Sequence, residues 1–353
     1  MNDAYFLDFV ESGSTLVMVF PPFGQARGSA VQNSPAWGAS FITRRGYSLL
    51  GFKPAQPDWF RCRELHQFLR SPRFIEFLQS FERVVLYGGS MGGYAALSFS
   101  ALVPNAEVLA LSPQSTLDPR LVPWETRWVE AGQRRDWNGD FADAARHCAS
   151  AARAVVTYDP RFELDRKHVE RLPDNVMRIP VPNVGHSTIM WLNRMGALPE
   201  LFRRFMAGEL DRRSLIELVR EKSRQLPHYY VTLAHRLKSE HARELIGRAE
   251  KLLGTSLHDF SEVATAYLKE GLSRSAEAVF LDRAAMFAES ADFHFRGSKL
   301  FVATGDTAKA TEFARKAVEL HPTARVYRIW LDKLTGEDTA GSGDQPKIES
   351  EAR

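Results

Sequence analysis

The stretch Arg83-Val-Val-Leu-Tyr-Gly-Gly-Ser-Met-Gly-Gly-Tyr-Ala-Ala-Leu97 decides the fold. Val84 to Tyr87 are apolar without alternation, the pattern of a parallel strand covered on both faces. From Tyr94 to Ala101 the residues are mostly helix formers or bulky apolar side chains. Between them stands Gly88-Gly89-Ser90-Met91-Gly92, a G-x-S-x-G match. A serine at the tip of a sharp strand-to-helix turn adopts a strained backbone, so small residues are needed two positions to either side. The same geometry lifts the Ser90 hydroxyl over the sheet. It also puts the Met91 N–H at a helix N-terminus, where it can meet developing negative charge. A phosphate-binding glycine loop is the competing reading, but the lysine that should follow its last glycine is replaced by Tyr94.

Composition narrows the classes. A chain of 353 residues holds one large domain or two ordinary ones. A net charge of +3, with arginines spread out, makes no case for nucleic acid. The two cysteines, Cys62 and Cys148, form no disulfide framework and suit a reducing compartment. Met1 to Phe20 begins with acidic residues, and its short apolar run reads as a strand and not as a signal peptide. No apolar run is long enough to span a bilayer, so a cytoplasmic protein without a membrane span is expected. No Cys/His or carboxylate cluster has metal-ligand spacing, and no metal or organic cofactor is expected.

Outward from the glycine turn, Ser14 to Phe20 reads as the first buried strand and runs into Pro21-Pro22-Phe23-Gly24-Gln25. An oxyanion hole needs a second N–H donor from a loop after an early strand. Pro21 and Pro22 have none, so Phe23 is the first choice, with Gly24 and Gln25 behind it. Gln25 and Arg27 are close enough in sequence to touch a substrate. Tyr47 to Phe52 is a second strand. Asp58 then reads as the N-cap of a helix over Trp59 to Phe68, and Ser71-Pro72 starts another through Phe81. Glu107 to Ser112 is a further strand. From Gln114 to Ser150, Trp124, Trp128, Trp137 and Phe141 alternate with Arg127, Arg134, Arg135 and Asp136. Such an insertion would lie over the serine as a cap. Its tryptophans either wall the substrate, with Trp124 and Trp128 the candidates, or pack the cap onto the sheet.

Ala154 to Tyr158 is another buried strand, followed at once by Asp159-Pro160. A carboxylate just past a strand end is where a histidine-orienting acid belongs. Asp159 is favoured; Asp165 is the alternative and can equally cap a helix beginning near Lys167. Val176 to Val181 makes the last strand, and Pro182 to Thr188 is a loop carrying His186. Ser90, an aspartate and His186 therefore occur in chain order, each after its own strand. His66, His147 and His168 fall within helical patterns and are given no chemistry.

Ser90 in Gly88-x-Ser90-x-Gly92, Asp159 after its strand and His186 in Gly185-His186 resemble the nucleophile, acid and base of the α/β-hydrolase family. The resemblance covers about Ser14 to Phe205. It implies a mainly parallel sheet with helices on both faces. It also implies hydrolysis of an ester or thioester of a small or acylated substrate, or transfer of the acyl group, through acyl-Ser90. Met91 and Phe23 would supply the oxyanion N–H groups. The family often has His-Gly where this chain has Pro21-Pro22.

After about Glu209 the pattern becomes helical and repeats. Tyr267 and Phe301, Gly271 and Gly305, and Ala276 and Ala310 are each 34 residues apart, and Ala242 lies 34 before Ala276. This resembles tetratricopeptide repeats, with two clear units over Ser256 to Thr323 and a degenerate one over Ser223 to Thr255. Phe260 and His294 stand where that family carries tryptophan. The resemblance implies a surface for a protein partner, or else for packing on the hydrolase or self-association. The expected organisation is a hydrolase domain over 1–208 with its cap near 114–150, a repeat region over 209–335 and a disordered tail over 336–353. An inactive hydrolase-like scaffold is the alternative to an enzyme.

Overall fold

The computed structural model describes residues 4–25, 32–237 and 240–336. The chain forms two compact units that divide between Arg220 and Glu221.

The first unit is built on strands β1 (Tyr5–Val10), β2 (Thr15–Phe20), β3 (Ser48–Pro54), β4 (Arg83–Gly89), β5 (Glu107–Leu111), β6 (Arg153–Tyr158) and β7 (Val176–Pro180). They make one seven-stranded sheet in the order β1-β3-β2-β4-β5-β6-β7. Only β1 is antiparallel to its neighbour; every other pairing is parallel. Its helices in this unit are α1 (Ala39–Thr43), α2 (Arg63–Leu69), α3 (Pro72–Gln79), α4 (Met91–Phe99), α5 (Val129–Arg134), α6 (Ala144–His147), α7 (Glu163–Glu170), α8 (Thr188–Arg194) and α9 (Leu198–Ala207), with α10 (Arg212–Ser223) running past the division. This mainly parallel sheet flanked by helices is the α/β-hydrolase fold class expected. The central strands β2, β4 and β5 are buried almost throughout, which is why their sequences lack alternation.

Two local points go beyond the sequence reading. Ser14 to Phe20 is the first buried strand, as expected, but not the first strand, because β1 precedes it. As an edge strand, β1 buries only Tyr5 and leaves Phe9 and Val10 exposed, so it carries no continuous apolar run. Nor does a helix begin at Trp59. Trp59 and Phe60 have φ of 60° and 54°, both are fully buried, and α2 starts at Arg63. The Asp58 carboxylate accepts the Phe60 N–H at 2.9 Å and the Tyr5 hydroxyl, making a side-chain turn that drives both rings inward. Burying two large aromatics outweighs the helical spacing. Cys62 is consequently the residue before α2, not inside it, and both cysteines are free thiols.

The second unit is helical: α11 (Pro227–Ala234), α12 (Glu240–Lys251), α13 (Leu257–Lys269), α14 (Ser273–Leu281), α15 (Ala291–Thr304), α16 (Thr307–Leu320) and α17 (Arg325–Thr335). Gly271 and Gly305, 34 residues apart, take φ of 74° and 88° at the equivalent α13–α14 and α15–α16 turns. Ala242, Ala276 and Ala310 are each fully buried in a second helix of a pair. A Cβ on Gly297 would stand 2.4 Å from the Phe313 ring, so α15 and α16 touch there without room for a side chain. The expected tail, apart from Gly336, lies outside the described residues.

Candidate active site

Ser90 stands between β4 and α4 with φ 53° and ψ −120°, a conformation that costs a non-glycine residue of order 1–3 kcal/mol. The turn is held by its surroundings. The Ser90 N–H donates to the Leu111 carbonyl at 2.8 Å, and the Tyr94 N–H donates back to the Ser90 carbonyl at 3.0 Å. The two flanking glycines are steric necessities. A Cβ on Gly88 would lie 2.2 Å from the Gly92 carbonyl oxygen, and one on Gly92 would lie 2.0 Å from that of Phe20. All residues of α4 are buried, so the helix cannot move to relieve either clash.

The Ser90 hydroxyl is 2.8 Å from His186 Nε2. His186 comes from the loop after β7, where Asn183 and Gly185 both take left-handed φ, 71° and 57°. Its Nδ1 lies 2.9 Å and 2.8 Å from the two oxygens of Asp165. Nδ1 therefore carries the proton and donates to the carboxylate, which leaves Nε2 as acceptor for the serine hydroxyl. Asp165 is wholly buried, whereas the imidazole is 23% exposed and can reach a substrate.

The favoured acid, Asp159, does not meet His186. Its Oδ2 accepts the Val184 and Gly185 N–H groups at 2.8 and 2.9 Å, and its Oδ1 accepts that of Arg161 at 2.9 Å. One residue past β6, its oxygens are taken up by these N–H groups, and it ties down the histidine's loop instead. The chain turns at Asp159–Phe162, and α7 begins at Glu163, earlier than expected. That places Asp165 in the first helical turn under His186 and leaves the N-cap position to Phe162.

Gln114, unconsidered from the sequence, is fully buried beside this pair. Its amide lies 3.5 Å from Ser90 Oγ and 3.4 Å from His186 Nε2. The signal for it was present: it sits just past the end of β5, as Ser90 and His186 sit past theirs.

Met91 opens α4, so its N–H has no acceptor within the helix. The Pro21–Gln25 loop runs against the same helix end, since a Cβ on Gly92 would also be 2.7 Å from the Pro21 carbonyl oxygen. Phe23 to Gln25 form a short 3-10 turn in which the Gln25 N–H already donates to Pro22 at 3.0 Å. That removes Gln25 as a main-chain oxyanion donor, while its side chain is exposed. The Phe23 ring packs at 4.6 Å on Trp128, which packs at 5.4 Å on Trp59. Trp124 instead meets His168 at 4.6 Å, away from the serine's immediate contacts. Trp137 and Phe141 are buried in the main core, so this part of the insertion packs on the sheet. Arg27 lies outside the described residues. No helix among the described residues is long and apolar enough to cross a membrane.

A scan of known protein families finds none that matches the chain, and no curated protein matches it. Among solved structures it is similar to the capsule O-acetyltransferase of Neisseria meningitidis serogroup A, at 14% identity and TM-score 0.37, over 57% of this chain and 93% of that one. It is similar to MPT51 of Mycobacterium tuberculosis at 16% identity and TM-score 0.34, over 55% and 90%. A carboxylesterase of the thaumarchaeon Nitrososphaera gargenis gives 11% identity and TM-score 0.37, over 58% and 96%.

Proposed function

We propose that the protein is a serine hydrolase of esters or thioesters, acting through an acyl-Ser90 intermediate. The observation that supports this is the unbroken chain from the Ser90 hydroxyl to His186 Nε2 and from His186 Nδ1 to the buried Asp165. In this reading His186 takes the Ser90 proton as Oγ bonds to the acyl carbon, and the carbonyl electron pair moves onto oxygen. The Met91 and Phe23 N–H groups face that oxyanion; losing one such donor costs about 3–4 kcal/mol of barrier lowering. Collapse expels the alkoxide or thiolate, which takes the proton from Nε2. Water then repeats the sequence and regenerates the hydroxyl. Asp165 keeps Nδ1 protonated and stabilises the imidazolium, while Asp159 holds the loop that carries His186.

Trp128 with Phe23 would wall the acyl side, with Gln25 at the rim. The helical unit, read as tetratricopeptide-like, would present a surface to a protein partner or to a second copy. The free thiols fit a reducing compartment such as the cytoplasm.

The test is a panel of nitrophenyl esters and acyl thioesters of graded chain length, with the parent and Ser90→Ala. Turnover by the parent that falls by about 10³-fold or more in the folded variant supports the reading. Equal turnover by both refutes it. Adding an alcohol acceptor separates hydrolysis from acyl transfer through the product formed.

A further inference from the structure

Helix α7 carries Asp165 and His168 and is capped at its C-terminus by Arg171; the three-residue spacing puts them on one face. Each meets a group from the 114–150 segment. Arg127 Nη1 donates to Asp165 Oδ1 at 2.9 Å, and the same guanidinium grips Glu125 through Nη2 at 2.6 Å and Nε at 3.0 Å. Glu125 Oε2 lies 2.9 Å from His168 Nε2. The Ser115 N–H donates to His168 Nδ1 at 3.1 Å, so Nδ1 is an acceptor and the ring proton sits on Nε2, directed at Glu125. Arg171 closes the series on Asp143 at 2.8 Å and on Ser115 Oγ at 2.6 Å.

Burial alone would raise the Glu125 carboxyl, but hydrogen bonds from His168 and Arg127 outweigh it and hold the group at about 2. Burial lowers His168, against the pull of Glu125, and keeps it neutral. Arg127 remains a cation, only 19% exposed, with the Phe162 ring 5.2 Å from its guanidinium carbon.

Asp165 Oδ1 is therefore shared: it is 2.9 Å from Arg127 Nη1 and 2.9 Å from His186 Nδ1. We infer that Arg127 is a positioning residue for the His186–Asp165 pair: it fixes the carboxylate's orientation, and its charge sets the pH range in which the pair works. This rests on the hydrolase reading above. Among the described residues, the charged and titratable groups around the pair are Arg127 and Glu125 from the cap segment, His168 on α7, and Asp159 under the loop that carries His186. A cation on the shared oxygen opposes a second positive charge on the imidazole. Removing it favours the imidazolium, and removing its counter-anion Glu125 does the opposite.

The test measures the rate of Ser90 labelling by a fluorophosphonate against pH, by intact mass, for the parent, Arg127→Gln, Arg127→Lys and Glu125→Gln. The acid limb moves to higher pH in Arg127→Gln. It stays near the parent's in Arg127→Lys, which restores the charge while losing the fork and part of the rate. It moves to lower pH in Glu125→Gln. A folded Arg127→Gln with the parent's limb overturns the proposal and leaves the arginine a structural tie. If Arg127→Gln does not fold, an unmoved limb in Glu125→Gln overturns it equally. A parent that takes no label at all overturns the hydrolase reading, and this proposal with it.

Discussion

Replacing Asp165 by asparagine separates the two aspartates that the chain offers to His186. The side chain is fully buried between the imidazole and Arg127. Arg127 has only N–H donors, so the new amide oxygen turns to it, and the amide NH₂ faces His186 Nδ1. Nδ1 must then accept, the ring proton moves to Nε2, and Nε2 can no longer take the proton of a hydroxyl 2.8 Å away. The lost general base and orientation amount to about 10⁴-fold in kcat, or about 5.5 kcal/mol of barrier. Asp159→Asn keeps an oxygen for one or two of its three N–H donors and leaves the imidazole tautomer alone. It costs roughly 1–3 kcal/mol of stability and tenfold or less in rate. The assay is single-turnover acylation by an activated ester, with each variant's fold checked by denaturant titration. A rate collapse in Asp159→Asn alongside a near-parental Asp165→Asn would refute the assignment.

Three further outcomes are expected. Gly92→Ala drives a Cβ into the Phe20 and Pro21 backbone oxygens at 2.0 and 2.7 Å. It destabilises by about 3 kcal/mol in urea titration and abolishes labelling, whereas Gly89→Ala, which meets the movable end of Ile189, costs about 1 kcal/mol. Burial lowers His66 from its ordinary 6.5 to about 4, while its hydrogen bond to the Phe60 carbonyl partly resists. Its folded value is depressed, so stability is complete above pH 6.5 and falls by about 3 kcal/mol as pH drops from 6.5 through 4; His66→Gln flattens that window in pH-dependent melts. Gly297→Ala, whose Cβ meets the Phe313 and Phe280 rings at 2.4 and 2.9 Å, destabilises the helical unit by about 2 kcal/mol, read as a downward shift of its melting transition.

The elbow was legible because its requirements are local: two glycines exclude a Cβ, and a strand and a helix lie on either side. The buried central strands were legible for the same reason, since coverage on both faces removes alternation. What depends on tertiary placement was not. Asp159 has the better position in sequence, yet its carboxylate is taken by two N–H groups of the loop that bears His186. Asp165 looked like a cap because Asp is common in first turns, while its real partners, His186 and Arg127, are 21 and 38 residues away. Its spacing to His168 and Arg171 was a readable sign that this face of α7 is polar and paired. Trp59 and Phe60 mimic helical spacing and are buried in a left-handed turn that Asp58 makes.

The central claim is that Ser90 is an activated nucleophile. The direct measurement is intact mass after fluorophosphonate treatment of the parent and of Ser90→Ala, with equal folding shown by circular dichroism. The expected result is a single adduct on the parent, mapped to Ser90 by peptide mass, and none on the variant. No adduct on the folded parent, or an equal adduct on Ser90→Ala, would contradict it.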